Sequence, residues 1–155
     1  LLWCRLLAYC LVFWSVQYSV CLAETPLRPA IGENSDSTRF IARIQLHSAA
    51  ELDSILRRAD ELYQSEPLTA IEPIVFVLHG AEARVFLRSR YPEYKDLVDR
   101  AARLSAFDVV DIRVCERWMG GQGIVAEQLV PFVSTVEYGP AEITRLRQRQ
   151  NYIDF

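Results

Sequence analysis

Two reactive side chains close apolar runs in this sequence. Cys115 ends Val109-Val-Asp-Ile-Arg-Val-Cys115 and is followed by Glu-Arg-Trp-Met-Gly-Gly-Gln-Gly. His79 ends Pro73-Ile-Val-Phe-Val-Leu-His79 and is followed by Gly80. A thiol beside free backbone amides, with Arg117 close in sequence, is in a setting that favours thiolate. Thiolate is the form that attacks sulfane sulfur, disulfides and electrophilic carbon. Gly120, Gly121 and Gly123 would let the backbone approach a small anionic ligand beside that thiol. Plainer readings stand next to these. A single cysteine at a strand end is also a small buried hydrophobe. His79-Gly80 also serves simply to end a strand and open a turn. Gly-Gly-Gln-Gly lacks the pattern of a dinucleotide fingerprint or a Walker loop and also reads as a bend.

These residues need elements to position them. Phe40, Ala42, Ile44 and Leu46 alternate with Arg43 and Gln45, which predicts a strand buried on one face. Ser48-Ala-Ala-Glu51 predicts a capping box opening a helix whose apolar positions are Leu52, Ile55, Leu56, Ala59, Leu62 and Tyr63, ending by Pro67. The continuous branched run before His79 predicts a strand covered on both faces, as in a parallel sheet. Ala81 to Arg90 and Tyr94 to Ala106 read as helices, the latter with Leu97, Val98, Ala101 and Leu104 inward. Val109 to Cys115 reads as a third strand, the glycines as a loop, then a short helix to about Leu129, and Phe132 to Glu137 as a fourth strand. Gly139-Pro140 opens a last helix, with Ile143 and Leu146 buried and Arg145, Arg147 and Arg149 among its solvated positions. Trp118 and Met119 read as packing or subunit contacts. Strands alternating with helices predict an α/β domain with a mainly parallel sheet of four to five strands and helices on both faces. Ligands of such sheets bind beyond the carboxyl ends of the strands, where His79 and Cys115 fall.

Composition divides the 155 residues unevenly. Residues 1–23 hold 19 apolar side chains, three of the four cysteines (Cys4, Cys10, Cys21) and one charge, Arg5. They read as a signal peptide cleaved after Ala23, with an uncleaved signal anchor as the alternative. Residues 24–38, with Pro26, Pro29 and Gly32 in a polar stretch, read as a flexible spacer. Residues 39–155 form the domain. It would be periplasmic or secreted, or anchored facing the periplasm, with membrane contact only through the N-terminal segment. Without residues 1–23 the chain is about 45% apolar with a net charge of −4 and one thiol, Cys115. One cysteine supports neither a disulfide framework nor a cysteine-rich zinc site. No metal or other cofactor is expected. An acidic chain without a basic cluster argues against nucleic-acid binding.

Three stretches in order carry a resemblance: Ile74-Val-Phe-Val-Leu-His-Gly80; Val109 to Cys115 with its glycine-bearing loop; and Leu129-Val-Pro-Phe-Val133 with the closing Ile143 to Ile153. Together they resemble the DsrE/DsrF-like family over roughly Phe40 to Ile153. The resemblance implies a flavodoxin-like three-layer α/β fold, homo-oligomers (trimers or hexamers), and a persulfide on one cysteine passed between a sulfur donor and an acceptor protein. It transfers to Cys115 alone, and the Glu116-Arg117-Trp118 that follows departs from the Gly-Asn type usual there. Two expectations follow. In one, Cys115 carries sulfane sulfur as carrier or sulfurtransferase, Arg117 and loop amides stabilise the thiolate, and His79 assists proton movement. In the other, the domain is a non-catalytic oligomeric binding or assembly module.

Overall fold

A computed structural model of the protein describes residues 39–65, 72–149 and 152–155. The leader and spacer expected over 1–38 lie outside the described residues. Five parallel strands form one sheet in the order β4-β3-β2-β1-β5. The strands are β1 (Phe40–Ile41), β2 (Ile74–Leu78), β3 (Val110–Cys115), β4 (Ser134–Val136) and β5 (Ile153–Asp154). Helices α1 (Ala49–Ser65), α2 (Lys95–Ala106), α3 (Glu116–Gly121) and α4 (Gly139–Arg149) complete a flavodoxin-like three-layer α/β domain. Among the described residues no helix is long and apolar enough to cross a membrane.

The central pair is β2 and β3, in register from Ile74 opposite Val110 to Leu78 opposite Val114. All five residues of β2 are buried, because successive side chains point to opposite faces and both faces are covered. Ile74, Phe76 and Leu78 enter a large core with Val110, Ile112 and Val114 of β3, Leu52, Leu56 and Ala59 of α1, and the inward residues of α2. Val75 and Val77 turn the other way and meet Ile41 and Leu146 of α4, with Val136, Ile143 and Tyr152 at the margin. That second core is small, so Leu146 is the one α4 side chain buried in it.

Beside it, polar residues cover the same sheet face. Arg113 of β3 bridges Asp111 at 2.5 Å and Glu142 of α4 at 2.5 Å. Arg145 also binds Glu142, and with Arg113 opposite it holds that carboxyl below the usual carboxylate range against the opposing effect of burial.

Five elements differ from the sequence expectation. The first strand is two residues long, and Leu46, expected inward, is 78% exposed. Ile41 enters the small core beside Leu146 and Ala42 enters the large core, so adjacent residues are buried on opposite faces instead of alternate ones on one face. The expected helix from Ala81 to Arg90 is two 3-10 segments, Ala81–Phe86 and Arg88–Arg90. Leu87 between them is extended, drawn into a bridge with Leu129, and Phe86 O accepts the Val130 amide at 2.9 Å. The glycine loop after Cys115 is instead helix: α3 starts at Glu116 and takes Gly120 and Gly121 into its last turn. The short helix expected before Leu129 is a single 3-10 turn at Ala126–Gln128. Finally, Ile153–Asp154 is an edge strand, fastened when the amides of Ile153 and Phe155 donate to Arg39 O and Ile41 O.

Two predictions follow. Leu146→Ala lowers unfolding free energy by about 2–4 kcal/mol, whereas Leu46→Ala changes it by less than about 0.5 kcal/mol; urea unfolding checks both. Glu142 titrates lower in the folded chain than in the unfolded one, so its stabilisation is complete above the unfolded value and lost as pH falls through the folded one. The stability gap between wild type and Glu142→Gln is therefore widest near neutrality and closes as the pH falls through the folded-state value.

Candidate functional site

The chain leaves β3 and β4 toward opposite faces. Met119 of α3 packs in the large core, while Leu146 of α4 packs in the small one. Departures in opposite directions make the carboxyl ends of these neighbouring strands a topological switch point, the usual ligand position in open α/β sheets. Cys115 stands at this edge, opposite Val136 of β4 in the sheet register. Three residues after Val136, Gly139 donates its amide N–H to Cys115 Sγ at 3.2 Å. A side chain at Gly139 would place its Cβ 3.1 Å from His79 Cβ and 3.2 Å from Cys115 Cβ. A side chain there would press its neighbours apart by a few tenths of an ångström, and His79 and Cys115 share one wall. The thiol is free and 2% exposed.

Behind His79 lies a group that sequence reasoning missed. Glu82 is 0% exposed. Its Oε1 accepts the amides of His79 and Gly80, each at 3.0 Å. Its Oε2 lies 3.0 Å from His47 Nδ1. The His47 ring lies against the His79 ring, centroids 4.6 Å apart and tilted by 57°. A Cβ at Gly80 would fall 2.6 Å from both Glu82 Oε2 and His47 Cγ, so the missing side chain is what admits carboxylate and imidazole together.

The local sequence explains how His47 arrives. Ser48 Oγ accepts the Glu51 amide at 3.2 Å, as the capping box predicts. Glu51 reaches further back than expected and accepts the amides of Gln45 and Leu46, each at 2.8 Å. Those bonds take the chain out of β1 and support His47 in a left-handed conformation, φ 49°, which a residue other than glycine adopts rarely. The available signal was a glutamate among Ala81, Ala83, Val85 and Phe86 directly after a strand.

The other expected site residues lie elsewhere. The Arg117 guanidinium stacks over the Tyr138 ring at 5.2 Å, and its backbone amide donates to Glu137 O. The contact to sulfur is made by the Gly139 amide instead. Gly120, Gly121 and Gly123 are exposed, and a Cβ on any of them would meet nothing within 4 Å, so they do not line the thiol. Gly123 serves the chain in another way, adopting φ +66° just past the end of α3. Met119 is internal packing, 3% exposed, and Trp118 packs at the margin of the same core. Arg145 and Arg147, expected as a solvated face, are paired with Glu142 and Asp154. Among the described residues no group of three or more His, Cys, Asp or Glu is placed to hold a metal ion.

The arrangement is a sulfur with one backbone donor, an imidazole beside it, and a second imidazole backed by a buried carboxylate.

No protein family and no curated protein matches the chain. Among solved structures it is similar to the protein of unknown function MTH1491 from Methanobacterium thermoautotrophicum, at 17% identity over 76% of this chain and 97% of that one, with a TM-score of 0.62. At that identity the likeness is one of fold.

The two kinds of glycine respond oppositely to a methyl group. Gly80→Ala lowers stability by about 1–3 kcal/mol through overpacking of Glu82 and His47. Gly120→Ala, inside α3 with open space around it, is neutral or stabilises by up to about 1 kcal/mol. Thermal unfolding of both variants checks the contrast.

Proposed function

We propose that this domain is a DsrE-like sulfur-metabolism protein that carries sulfane sulfur as a persulfide on Cys115. The observation behind this reading is the thiol at the carboxyl end of β3, with the Gly139 N–H on its sulfur and His79 close to the same glycine. The ordered sequence resemblance and the flavodoxin-like fold support it. In the uptake step the Cys115 thiolate attacks the outer sulfur of a polysulfide. A sulfur–sulfur bond forms on Cys115, the donor's sulfur–sulfur bond breaks, and the shortened donor leaves with the electron pair. The Gly139 N–H, 3.2 Å from Sγ, lies against the sulfur that attacks and then carries the persulfide. Release to an acceptor thiol is the same displacement in reverse. His79 assists proton movement in both directions. In this proposal the domain works as an exported trimer or hexamer between a donor and an acceptor protein, in the periplasm or outside the cell.

One observation favours a second reading, a non-catalytic oligomeric binding or assembly module. Cys115 is 2% exposed, as a thiol used only for packing would be.

Intact-mass measurement after incubation with polysulfide separates the two. Persulfide carriage predicts a gain of one sulfur atom that dithiothreitol removes and that Cys115→Ser lacks. No gain on the folded wild type, or an equal gain on Cys115→Ser, sinks the carrier reading in favour of the module.

A further inference from the structure

Glu82 is the buried acid on which the site's wall converges, and the sulfur chemistry described so far does not use it. Its three neighbours are all N–H-bearing groups: two backbone amides on Oε1 and the His47 imidazole on Oε2. Amides only donate, so Oε1 is an acceptor. A carboxylate at Oε2 then draws the His47 proton to Nδ1 and leaves Nε2 with its lone pair. His47 is more exposed than Glu82, its side chain 32% against 0%. Glu82 lies behind His47, and His79 stands alongside, sharing a wall with Cys115.

We propose that Glu82 is a positioning residue that fixes the His47 tautomer and supplies the countercharge allowing the His47–His79 pair to hold the proton released by Cys115. The proposal rests on the Cys115 reading and adds the proton's route to it. With a hydropersulfide donor the step balances as follows. The thiol proton passes to the imidazole pair, and the thiolate takes the donor's outer sulfur. The donor's sulfur–sulfur bond breaks onto its inner sulfur, and the imidazolium returns the proton to that leaving thiolate. One positive charge appears during the step, and the Glu82 carboxylate offsets it across a 3.0 Å contact. The titratable groups that face His47 are Glu82 from the 3-10 segment and His79 from the end of β2; Cys115 stands beyond His79. The carboxylate of Glu51, from the first turn of α1, is occupied by the amides of Gln45 and Leu46.

Glu82→Gln is the informative variant. Its amide oxygen still accepts from His79 and Gly80, while its NH2 faces His47 and donates to Nδ1, which reverses the tautomer. Two-bond nitrogen–proton correlation spectra of the full chain are expected to show His47 protonated on Nδ1 in wild type and on Nε2 in Glu82→Gln. Modification of Cys115 by methyl methanethiosulfonate, followed by intact mass across a pH series, is expected to slow at least about tenfold in Glu82→Gln and His47→Gln. The shape of the pH profile changes as well, with circular dichroism unchanged. A purely structural Glu82 would leave the profile's shape as in wild type. An unchanged His47 tautomer in Glu82→Gln overturns the proposal, as do equal rates and profiles in folded wild type and both variants, or no reaction of folded wild type. The thiosulfonate and spectroscopic readouts do not require sulfane sulfur. A protein that shows them without gaining sulfur from polysulfide retains the relay and loses the carrier reading.

Discussion

A carboxylate taken out of water has to find donors inside the fold, because an unpaired buried charge costs several kcal/mol or more. Glu82 has two amide donors and the His47 ring nitrogen as partners, and they come from three separate places: the end of β2, the turn after it, and the loop before α1. That requirement explains several local oddities together. Gly80 has no side chain because one would occupy the space of the carboxylate and the imidazole. His47 adopts left-handed backbone because it must face Glu82 one residue before the Ser48 cap. The segment carrying Glu82 winds as a tight 3-10 turn, which lets the side chain return to the amides immediately preceding it.

The sheet supplies the frame for this contact. Register between β2 and β3 brings their carboxyl ends level, so His79 and Cys115 emerge at one edge. The change of side between α3 and α4 then delivers the Gly139 amide to the sulfur. Cys115 is consequently held by backbone, with no cationic side chain shown at the sulfur. Arg117, the cation nearest in sequence, is spent on Tyr138. The glycines beyond it shape the end of α3 and leave the thiol alone. An anionic sulfur in this setting depends on a dipole donor and on where its proton goes, which gives the neighbouring imidazoles their importance.

Much of the architecture was legible in the residues. The branched run of β2 could only be satisfied by cover on both faces, and the structure buries all five of its residues. The Ser48 cap and the apolar spacing after it located α1, and Leu97, Val98, Ala101 and Leu104 are the buried stripe of α2 as their spacing required. These are local signals: periodicity and capping depend on neighbours a few positions away. The short edge strand β5, the interruption at Leu87 and the truncation of β1 carry no such signal. The edge strand and the interruption at Leu87 are decided by hydrogen bonds to segments distant in sequence, Arg39 for Ile153 and Leu129 for Leu87, and β1 ends where the Glu51 carboxylate takes the Gln45 and Leu46 amides.

The same division runs through the site. By itself the sequence determined that an α/β sheet would present Cys115 and His79 at strand ends, because alternation of apolar runs and helical spacing leaves few other places for them. Tertiary structure alone decided what surrounds them. It buried the thiol to 2% exposure and selected the Gly139 amide over Arg117 as its neighbour. It also joined His47 to Glu82 across 35 positions of chain. Sequence spacing cannot report that pairing, since a buried charge chooses its partners by proximity in space and by the cost of having none.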